Sequence, residues 1–444
     1  MRYYVKKLFK QTHVLIVLGL FSAAWAGPLE RMEIPSSPNP VGSGARALGM
    51  GGAFIAVADD ATAASWNPAG IAQLPKSEVS VVGKYIQRSE DKSLDNSLSD
   101  DLSENIRDFS LNYFSAAINI PSSFNNMVFS INYQQQYDFN REWHLKVKLD
   151  NSLGETTYDM IQEGELYALG LAYGVQMSPE LYLGFTFNIW EDTLAENKWT
   201  QKHIQNANVQ IGPNAGISRA SKHETYSFGG YNFNLGLIWK ATEELKCGVV
   251  IKTPFKANLD LNQSVRTSTI FPDFPAANQS YADDREHEYH LRMPLSYGIG
   301  VSYQLMDHRL ALSADIYRTH WNQFEMELND GRRVSPISGQ DMNIADIDPT
   351  TWIRCGILYD IPLDNEMLLH LRSGIFYDPA PAERSPDDYW GLTLGSGLST
   401  KEFRIDGAYQ IRFGNDVGDS LLQGLNFSQD VIEHQMFISI VYYL

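Results

Sequence analysis

Residue pairs whose types and spacing could perform chemistry are rare in this chain. His287 and His290 are three positions apart, but they lie at a predicted loop-to-strand junction, where such a pair is more often incidental than a metal site. The chain contains no Gly-x-Ser-x-Gly, no His-Glu-x-x-His and no close Ser/His pair. The stretch from Gly42 to Ala47 fits a dinucleotide fingerprint, yet prolines precede it where a buried strand is needed, and no βαβ unit follows. We therefore predict no catalytic residue, no metal site and no cofactor.

The elements that would have to position any site follow a period of two. In one clear case the apolar residues Leu181, Leu183, Phe185, Phe187 and Ile189 alternate with Tyr182, Gly184, Thr186 and Asn188. Alternation of this kind is typical of a strand with one apolar face. About fourteen such segments follow residue 77, near 77–87, 108–120, 127–139, 164–177, 180–191, 225–240, 244–256, 288–305, 309–323, 350–361, 366–377, 388–398, 402–413 and 431–444.

The connections between these segments alternate between short and long. The long ones cover 88–107, 140–163, 192–224, 257–287 and 324–349. Outer-membrane barrels have short periplasmic turns, long extracellular loops and an even strand number, whereas a soluble sandwich has no reason to place every long loop at one end. The second face of the segments is rich in Gly, Ser, Asn and Gln, which suits a lumen that holds a plug. We predict an all-β protein, a transmembrane antiparallel β-barrel of about 14 strands over residues 77–444, with an N-terminal plug.

The N-terminus predicts export, and the composition excludes one class of partner. Arg2, Lys6, Lys7 and Lys10 precede an apolar run from Val14 to Ala24, which ends in Ala24-Trp25-Ala26. This is the pattern of a signal peptide over residues 1–26, and the run is too short for a membrane anchor. The net charge is −18 even with these bases counted, so nucleic acid is not an expected partner. Aromatic residues make up 12% of the chain and suit the girdles of a barrel in the cell outer membrane.

The segment before the first strand identifies a family. Residues 39–70 are rich in Gly and Ala and end in the motif Asn67-Pro68-Ala69-Gly70. This segment resembles the N-terminal hatch of the FadL/TodX family of outer-membrane transport proteins, and stretches such as 371–381 resemble its later strands and a late loop. The resemblance implies that residues 27–76 form a hatch that plugs the lumen. The glycines permit close backbone approach and Asn67-Pro68 fixes a turn, both of which suit a coil in a narrow lumen.

The resemblance also implies a function. Members of this family take up long-chain fatty acids or other hydrophobic compounds without ATP: the loops capture the ligand, the hatch shifts, and the ligand leaves sideways through a gap made by a kink in the third strand. In the third strand of this chain Phe129, Ile131 and Tyr133 face lipid and Gln135 follows in the same register. Gln135 is therefore a candidate kink site, and a position at the membrane interface is the alternative reading.

Further residues are candidates for ligand capture and for holding the hatch. Ile270, Phe271 and Phe274 form an apolar cluster in a polar loop and could line an entry groove or fold down to cap the barrel. Arg46 could hold the hatch by pairing with a wall carboxylate such as Asp315 or Asp406. A carboxylate head group needs a cation in a low-dielectric pocket, for which Arg46, Arg318, Arg372 and Arg404 are candidates that the sequence does not separate.

A second function shares the same hatch. PorV-like barrels also carry it and act as partners in protein secretion, and the sequence separates the two groups poorly. For the transport function we expect a hydrophobic small-molecule ligand, contact with outer-membrane lipid and lipopolysaccharide, and a monomer.

Overall fold

The computed structural model describes residues 32, 34, 37, 42–93, 102–121, 126–148, 155–195, 197–421 and 427–444. The predicted signal peptide lies outside the described residues. The strands are β1 Glu78–Ser93, β2 Leu102–Pro121, β3 Asn126–Asp138, β4 Arg141–Lys148, β5 Glu155–Gln176, β6 Leu181–Trp190, β7 Lys198–Ile211, β8 Asn214–Lys240, β9 Leu245–Lys252, β10 Phe255–Ile270, β11 Gln279–Met293, β12 Ser296–Leu305, β13 Leu310–Thr319, β14 Glu325–Glu327, β15 Arg333–Val334, β16 Thr350–Pro362, β17 Leu368–Tyr377, β18 Trp390–Ser399, β19 Phe403–Val417 and β20 Ser428–Tyr443.

The few helical turns are short. The α-helices are α1 Ala45–Gly49, α2 Ala63–Trp66 and α3 Asp192–Ala195, and 3₁₀ turns cover Pro68–Gln73, Pro275–Ala277, Trp321–Gln323 and Asp364–Glu366. In the part of the chain that the structure describes, no helix has the length and apolar character to cross a membrane.

Fourteen antiparallel strands close into the wall of a barrel. Their order is β1, β2, β3, β5, β6, β8, β9, β12, β13, β16, β17, β18, β19, β20, and β20 returns to pair with β1 from Glu78↔Tyr443 to Ser93↔Ser428. The predicted barrel of about 14 strands is confirmed. Large apolar side chains on the outer face are exposed, for example Ile118 at 59% and Ile131 at 57%, as expected for a face that meets lipid.

The same sheet continues beyond the membrane as an extension of the wall, which we call the crown. It consists of β4, β7, β10, β11, β14 and β15 with the first halves of β5 and β8. The predicted loops 140–163, 192–224 and 257–287 are thus largely strand, which corrects the sequence analysis. The reason is that the outer face of the crown meets water, so outward residues such as Lys202 are polar, and where alternation persists, as in β10, the apolar residues Leu259 and Leu261 are buried and the polar ones face out.

Candidate functional site

The described part of the hatch, residues 42–76, fills the lumen inside the wall. Its Ala, Gly and Phe54 side chains are almost completely buried. Asn67 holds its last turn: the side-chain oxygen accepts from the Ala69 N–H at 3.2 Å, and Nδ2 donates to the carbonyls of Ile55 at 2.9 Å and Leu237 at 3.0 Å. Pro68 begins the 3₁₀ turn, where its fixed φ suits the first helical position. The Asn67-Pro68-Ala69 motif therefore joins the hatch to β8, and its role in gating stays a prediction.

Lumen-facing glycines let the hatch approach the wall backbone. At Gly248 a Cβ atom would lie 2.5 Å from the Ile55 carbonyl oxygen, and at Gly395 it would lie 2.9 Å from the Gly49 Cα. We call this set the glycine belt: Gly174, Gly184, Gly236, Gly248, Gly300, Gly356, Gly374 and Gly395. Every member would place its Cβ within van der Waals distance of hatch atoms. The small face seen in the sequence is therefore the surface that contacts the hatch.

A chain of alternating charges joins the hatch to the last wall strands. Arg46 contacts Asp59 and Asp60 of the hatch itself, and Arg404 of β19 donates to Asp60 at 2.7 Å. Asp406 then accepts from Arg404 at 3.0 Å and from Arg372 of β17 at 2.7 Å. The expected pair of Arg46 with Asp315 or Asp406 is wrong, because Arg46 pairs instead with the hatch carboxylates Asp59 and Asp60.

The charge chain is electrically balanced. It contains the three cations Arg46, Arg372 and Arg404 and the three carboxylates Asp59, Asp60 and Asp406. Burial acts to raise the pKa of Asp59, but the charges of Arg46 and Lys246 outweigh it and lower that pKa to about 2. The hatch is therefore joined to β19 directly, through Asp60 and Arg404, and to Arg372 of β17 through Asp406.

Asp315 attaches the hatch by another contact. Its Oδ2 accepts from the backbone N–H groups of Phe54 at 2.6 Å and Ile55 at 2.9 Å, and it is buried in β13. Arg354 donates to the Gly51 carbonyl at 2.8 Å. Because the hatch backbone has little regular structure, wall side chains satisfy its buried polar groups.

The wall has a seam between β2 and β3. Their pairing ends at Tyr113↔Gln134, and beyond it residues 102–112 of β2 pair with β1 alone among the described strands. A β-bulge between Gln135 and Tyr137 bends β3 away. The seam is crossed by side chains instead: Gln135 donates to Ser110 at 3.2 Å, and Lys84 pairs with Asp138 at 2.9 Å.

The position of Gln135 differs from its expected place in the lipid-facing row. It is buried, with 7% of its surface exposed, at the last regular pair before the bulge, Gln135↔Tyr167, and its side chain donates to Ser110 of β2. Carboxylate oxygens of Asp108, Asp138 and Glu165 also come within 4.8 Å of one another at the seam, beside Lys84. The sequence showed no sign of this group, because its members lie on three different strands.

A narrow cavity of about 40 Å³ lies beside the seam. Gln136 and Tyr137 of the bulge line it on one side. Aromatic side chains form much of the rest, with the Trp190 and Phe255 rings stacked at 5.9 Å. The remaining lining residues are Asn188, Asn232, Asn234, Lys252, Thr253, Met293, Pro294, Ser296, Tyr317, Thr319 and Trp321. The cavity thus combines apolar walls, a few amides and hydroxyls, and a single charged side chain.

That charged side chain, Lys252, was missed in the sequence. It lies at the end of β9 with its ammonium 6.0 Å from the centre of the Tyr317 ring. The one signal that the sequence offered for this residue was its position, a lysine on the lumen-facing side of a wall strand. None of the four expected head-group cations lines the cavity: Arg318 donates to Thr351 at 2.8 Å, and the other three belong to the charge chain.

The expected capture residues lie elsewhere. Ile270, Phe271 and Phe274 are at the tip of the β10–β11 hairpin, fifteen residues beyond Phe255, or roughly 50 Å along an extended strand. Phe271 is buried, and Ile270 and Phe274 are 53% and 42% exposed. None of them lines the cavity, because the segment continues as strand and carries them to the top of the crown. Their role in ligand capture remains a prediction.

Comparison with known proteins agrees with this geometry. A family model described as "Outer membrane protein transport protein (OMPP1/FadL/TodX)" matches residues 40–418. No curated protein matches the chain.

Solved structures share the fold at low sequence identity. A Pseudomonas aeruginosa FadL homologue is 14% identical with a TM-score of 0.57, over 90% of this chain and 98% of its own. The Pseudomonas putida toluene transporter TodX is 14% identical with a TM-score of 0.55, over 91% and 98%. The Ralstonia pickettii toluene transporter TbuX is 12% identical with a TM-score of 0.50, over 91% and 99%. Because the family match extends over most of the chain, this protein belongs to the FadL/TodX family of outer-membrane transport proteins.

Proposed function

We propose that this outer-membrane channel admits amphipathic acids, such as long-chain fatty acids, by passive uptake and releases them sideways through the seam between β2 and β3. The family consists of channels for hydrophobic compounds, so the reaction class is transport and not catalysis. The observation that carries the finer proposal is the aromatic cavity with Lys252, which lies directly beside the seam.

The choice of an acid rests on the charge of the cavity. Among the described residues that line it, Lys252 is the one basic residue and none is acidic, so no carboxylate there repels an anionic head group. The rings of Trp190, Phe255 and Trp321 offer apolar contact to a hydrocarbon chain. A neutral hydrocarbon would use the rings but would gain nothing from the ammonium.

Sideways release follows from the hatch and from the ligand. The hatch and the glycine belt leave little space along the lumen axis. An apolar chain gains about 0.8 kcal/mol for each CH₂ buried in lipid and gains nothing in a water-filled route. Side chains rather than backbone hydrogen bonds cross the seam at Ser110 and Gln135, so opening it breaks few bonds.

Loop capture and a hatch shift complete the proposed path. A cavity of about 40 Å³ holds only a few water molecules, so a ligand has to displace side chains or the hatch to enter. Ile270 and Phe274 at the top of the crown offer a first apolar contact. The wall closes on itself through β1 and β20, which supports a monomer surrounded by lipid and lipopolysaccharide.

The test compares two lysines four residues apart. Lys252→Gln removes the ammonium from the cavity, whereas Lys256→Gln removes an exposed ammonium that pairs with Glu327 on the crown. Hydrogen bonds to charged groups contribute about 1.5–3 kcal/mol, so K252Q should weaken fatty-acid binding by about tenfold or more. Binding and uptake are measured with a fluorescent fatty acid and with toluene in cells that express each variant.

We expect K252Q to lose fatty-acid binding and uptake and to keep toluene uptake, while K256Q keeps both. Equal fatty-acid binding in K252Q and wild type would show that this cavity does not hold the head group.

A further inference from the structure

A second, larger cavity opens at the end of the barrel that carries the short turns. Its volume is about 370 Å³, and it lies between the underside of the hatch and the wall. The lining residues are Asp59, Ala72, Gln73, Leu74, Pro75, Asn126, Gln176, Tyr182, Lys240 and Lys246. We call it the periplasmic pocket, because short turns mark the periplasmic end of an outer-membrane barrel. It is separate from the aromatic cavity, with which it shares no lining residue.

Two lysines face each other across neighbouring strands in this pocket. Lys240 of β8 and Lys246 of β9 are directly opposed in the strand register, and both line the pocket. Like charges directly opposite each other in an antiparallel pair destabilise the sheet. The pair therefore costs stability unless something of opposite charge lies between the two ammonium groups.

Within the described residues, no group supplies that charge at ion-pair distance. Lys240 donates to the Tyr182 hydroxyl at 2.6 Å, and Lys246 donates to Gln73 Oε1 at 3.3 Å. Throughout the described ranges, no carboxylate lies within 4.0 Å of either ammonium, although lysines elsewhere in the lumen, such as Lys84, have such a partner. Among the described lining residues Asp59 alone is acidic; Arg46 contacts its carboxylate, which acts on Lys246 only from beyond ion-pair distance.

We propose that the periplasmic pocket is a binding site for a compact oxyanion, a carboxylate or a phosphate, held between Lys240 and Lys246. Oxyanions accept hydrogen bonds from several donors at once, and two ammonium groups, each with N–H donors besides the one given to Tyr182 or to Gln73, form such a set. The pocket has room for a small anion with its water.

The site is connected to the hatch. Gln73, which accepts from Lys246, itself donates to the Ala58 carbonyl at 3.1 Å. An anion that fixes Lys246 therefore also fixes the hatch against β9. This inference does not rest on the proposed function, since Lys240 and Lys246 carry it and neither lines the aromatic cavity.

The oxyanion that binds in the periplasmic pocket has two possible sources: a free periplasmic ion and the carboxylate of a transported acid. Equilibrium dialysis on the detergent-purified, full-length mature protein separates them with three probes: inorganic phosphate, acetate and octanoate. Octanoate is also measured on Lys252→Gln, so that binding in the aromatic cavity is subtracted.

We expect saturable binding to wild type, with an affinity at least tenfold lower in Lys246→Gln and in Lys240→Gln. Lys401→Gln is the matched control, because Lys401 is an exposed lysine on a short turn at the same end, paired with Glu366. Each variant is first checked for the heat-dependent gel shift of a folded barrel, and two lysine variants are used so that one misfolded protein leaves a valid test.

The outcomes separate as follows. Similar affinities for the three probes, lost in both variants, support a site for free oxyanions, and tighter octanoate binding with the same loss supports the carboxylate of a transported acid. Absence of saturable binding of all three probes, or equal losses in K401Q and K246Q, overturns the proposal. If K252Q leaves fatty-acid uptake unchanged, the proposed function fails, but the result for oxyanion binding in the periplasmic pocket still stands.

Discussion

Removing the Asp315 carboxylate should loosen the hatch and make the barrel leak. The carboxylate accepts two hatch N–H groups, from Phe54 and Ile55, in a position that water does not reach. Asp315→Ala leaves both donors buried without an acceptor.

The size of the expected increase in leak follows from the loss of these two hydrogen bonds. A buried donor without a partner costs about 1–3 kcal/mol, so two cost about 2–6 kcal/mol in the closed state of the hatch. Burying the Asp315 carboxylate is itself unfavourable, so removing it offsets part of the cost of about 2–6 kcal/mol. We therefore expect a net effect in the lower half of that range. With about 1.4 kcal/mol for each factor of ten, the open hatch should become about 30-fold to a few hundredfold more populated.

Single-channel recording in planar bilayers measures this directly as the fraction of time spent in conducting openings. Asp315→Asn keeps a neutral acceptor and should fall between wild type and D315A. The control is Ser313→Ala, because Ser313 is buried on the same face of β13 and bonds Ser302 of the wall. If folded D315A opens no more often than S313A, then these two hydrogen bonds do not hold the hatch.

Three further predictions test the seam, the strand register and the hatch turn. The first test locks the seam in a variant in which Ser replaces Cys247 and Cys355. A short reducible cross-linker between Ser110→Cys and Gln135→Cys should block uptake of a hydrophobic probe, and reduction should restore it. Unchanged uptake after cross-linking would argue against exit at the seam. In the native chain the thiols of Cys247 and Cys355 should stay free, because β12 and β13 separate them on the outer face. Both should react with membrane-soluble maleimides but poorly with charged ones. A disulfide between them would contradict the order of the wall strands. Pro68→Ala frees the turn before the first strand and should lower uptake while the folded barrel remains, and unchanged uptake would count against a gating role.

The wall could be predicted because it obeys one strong physical constraint. Lipid requires an apolar residue at every second position, and segments such as β6 and β12 show this alternation without interruption. The crown could not be predicted in the same way. Its strands meet water outside and a largely apolar interior, so they lack the lipid-facing apolar row, and in β7 neighbouring residues such as Gln201 and Lys202 are polar on both faces.

The hatch motif could be predicted as a turn, but its partners could not. Arg46 was singled out as a cation that could pair with a wall carboxylate, yet its nearest carboxylates are thirteen and fourteen positions away in the hatch itself. A bulge follows Gln135, the candidate kink site, but Gln135 itself is buried and does not face lipid as the alternation had indicated. Lys252 was missed because a lone lysine in a strand gives no indication of the rings that surround it.

The glycine belt has a consequence for how this chain assembles. Its members lie on β5, β6, β8, β9, β12, β16, β17 and β18, so the hatch touches most of the circumference at backbone distance. A finished barrel has no clearance through which the hatch could be threaded afterwards. We therefore expect the lumen to be filled before β1 meets β20, with the hatch as the template that sets the diameter at which the wall closes. A chain without residues 42–76 should then close more slowly, or with a more variable strand register, than the complete protein.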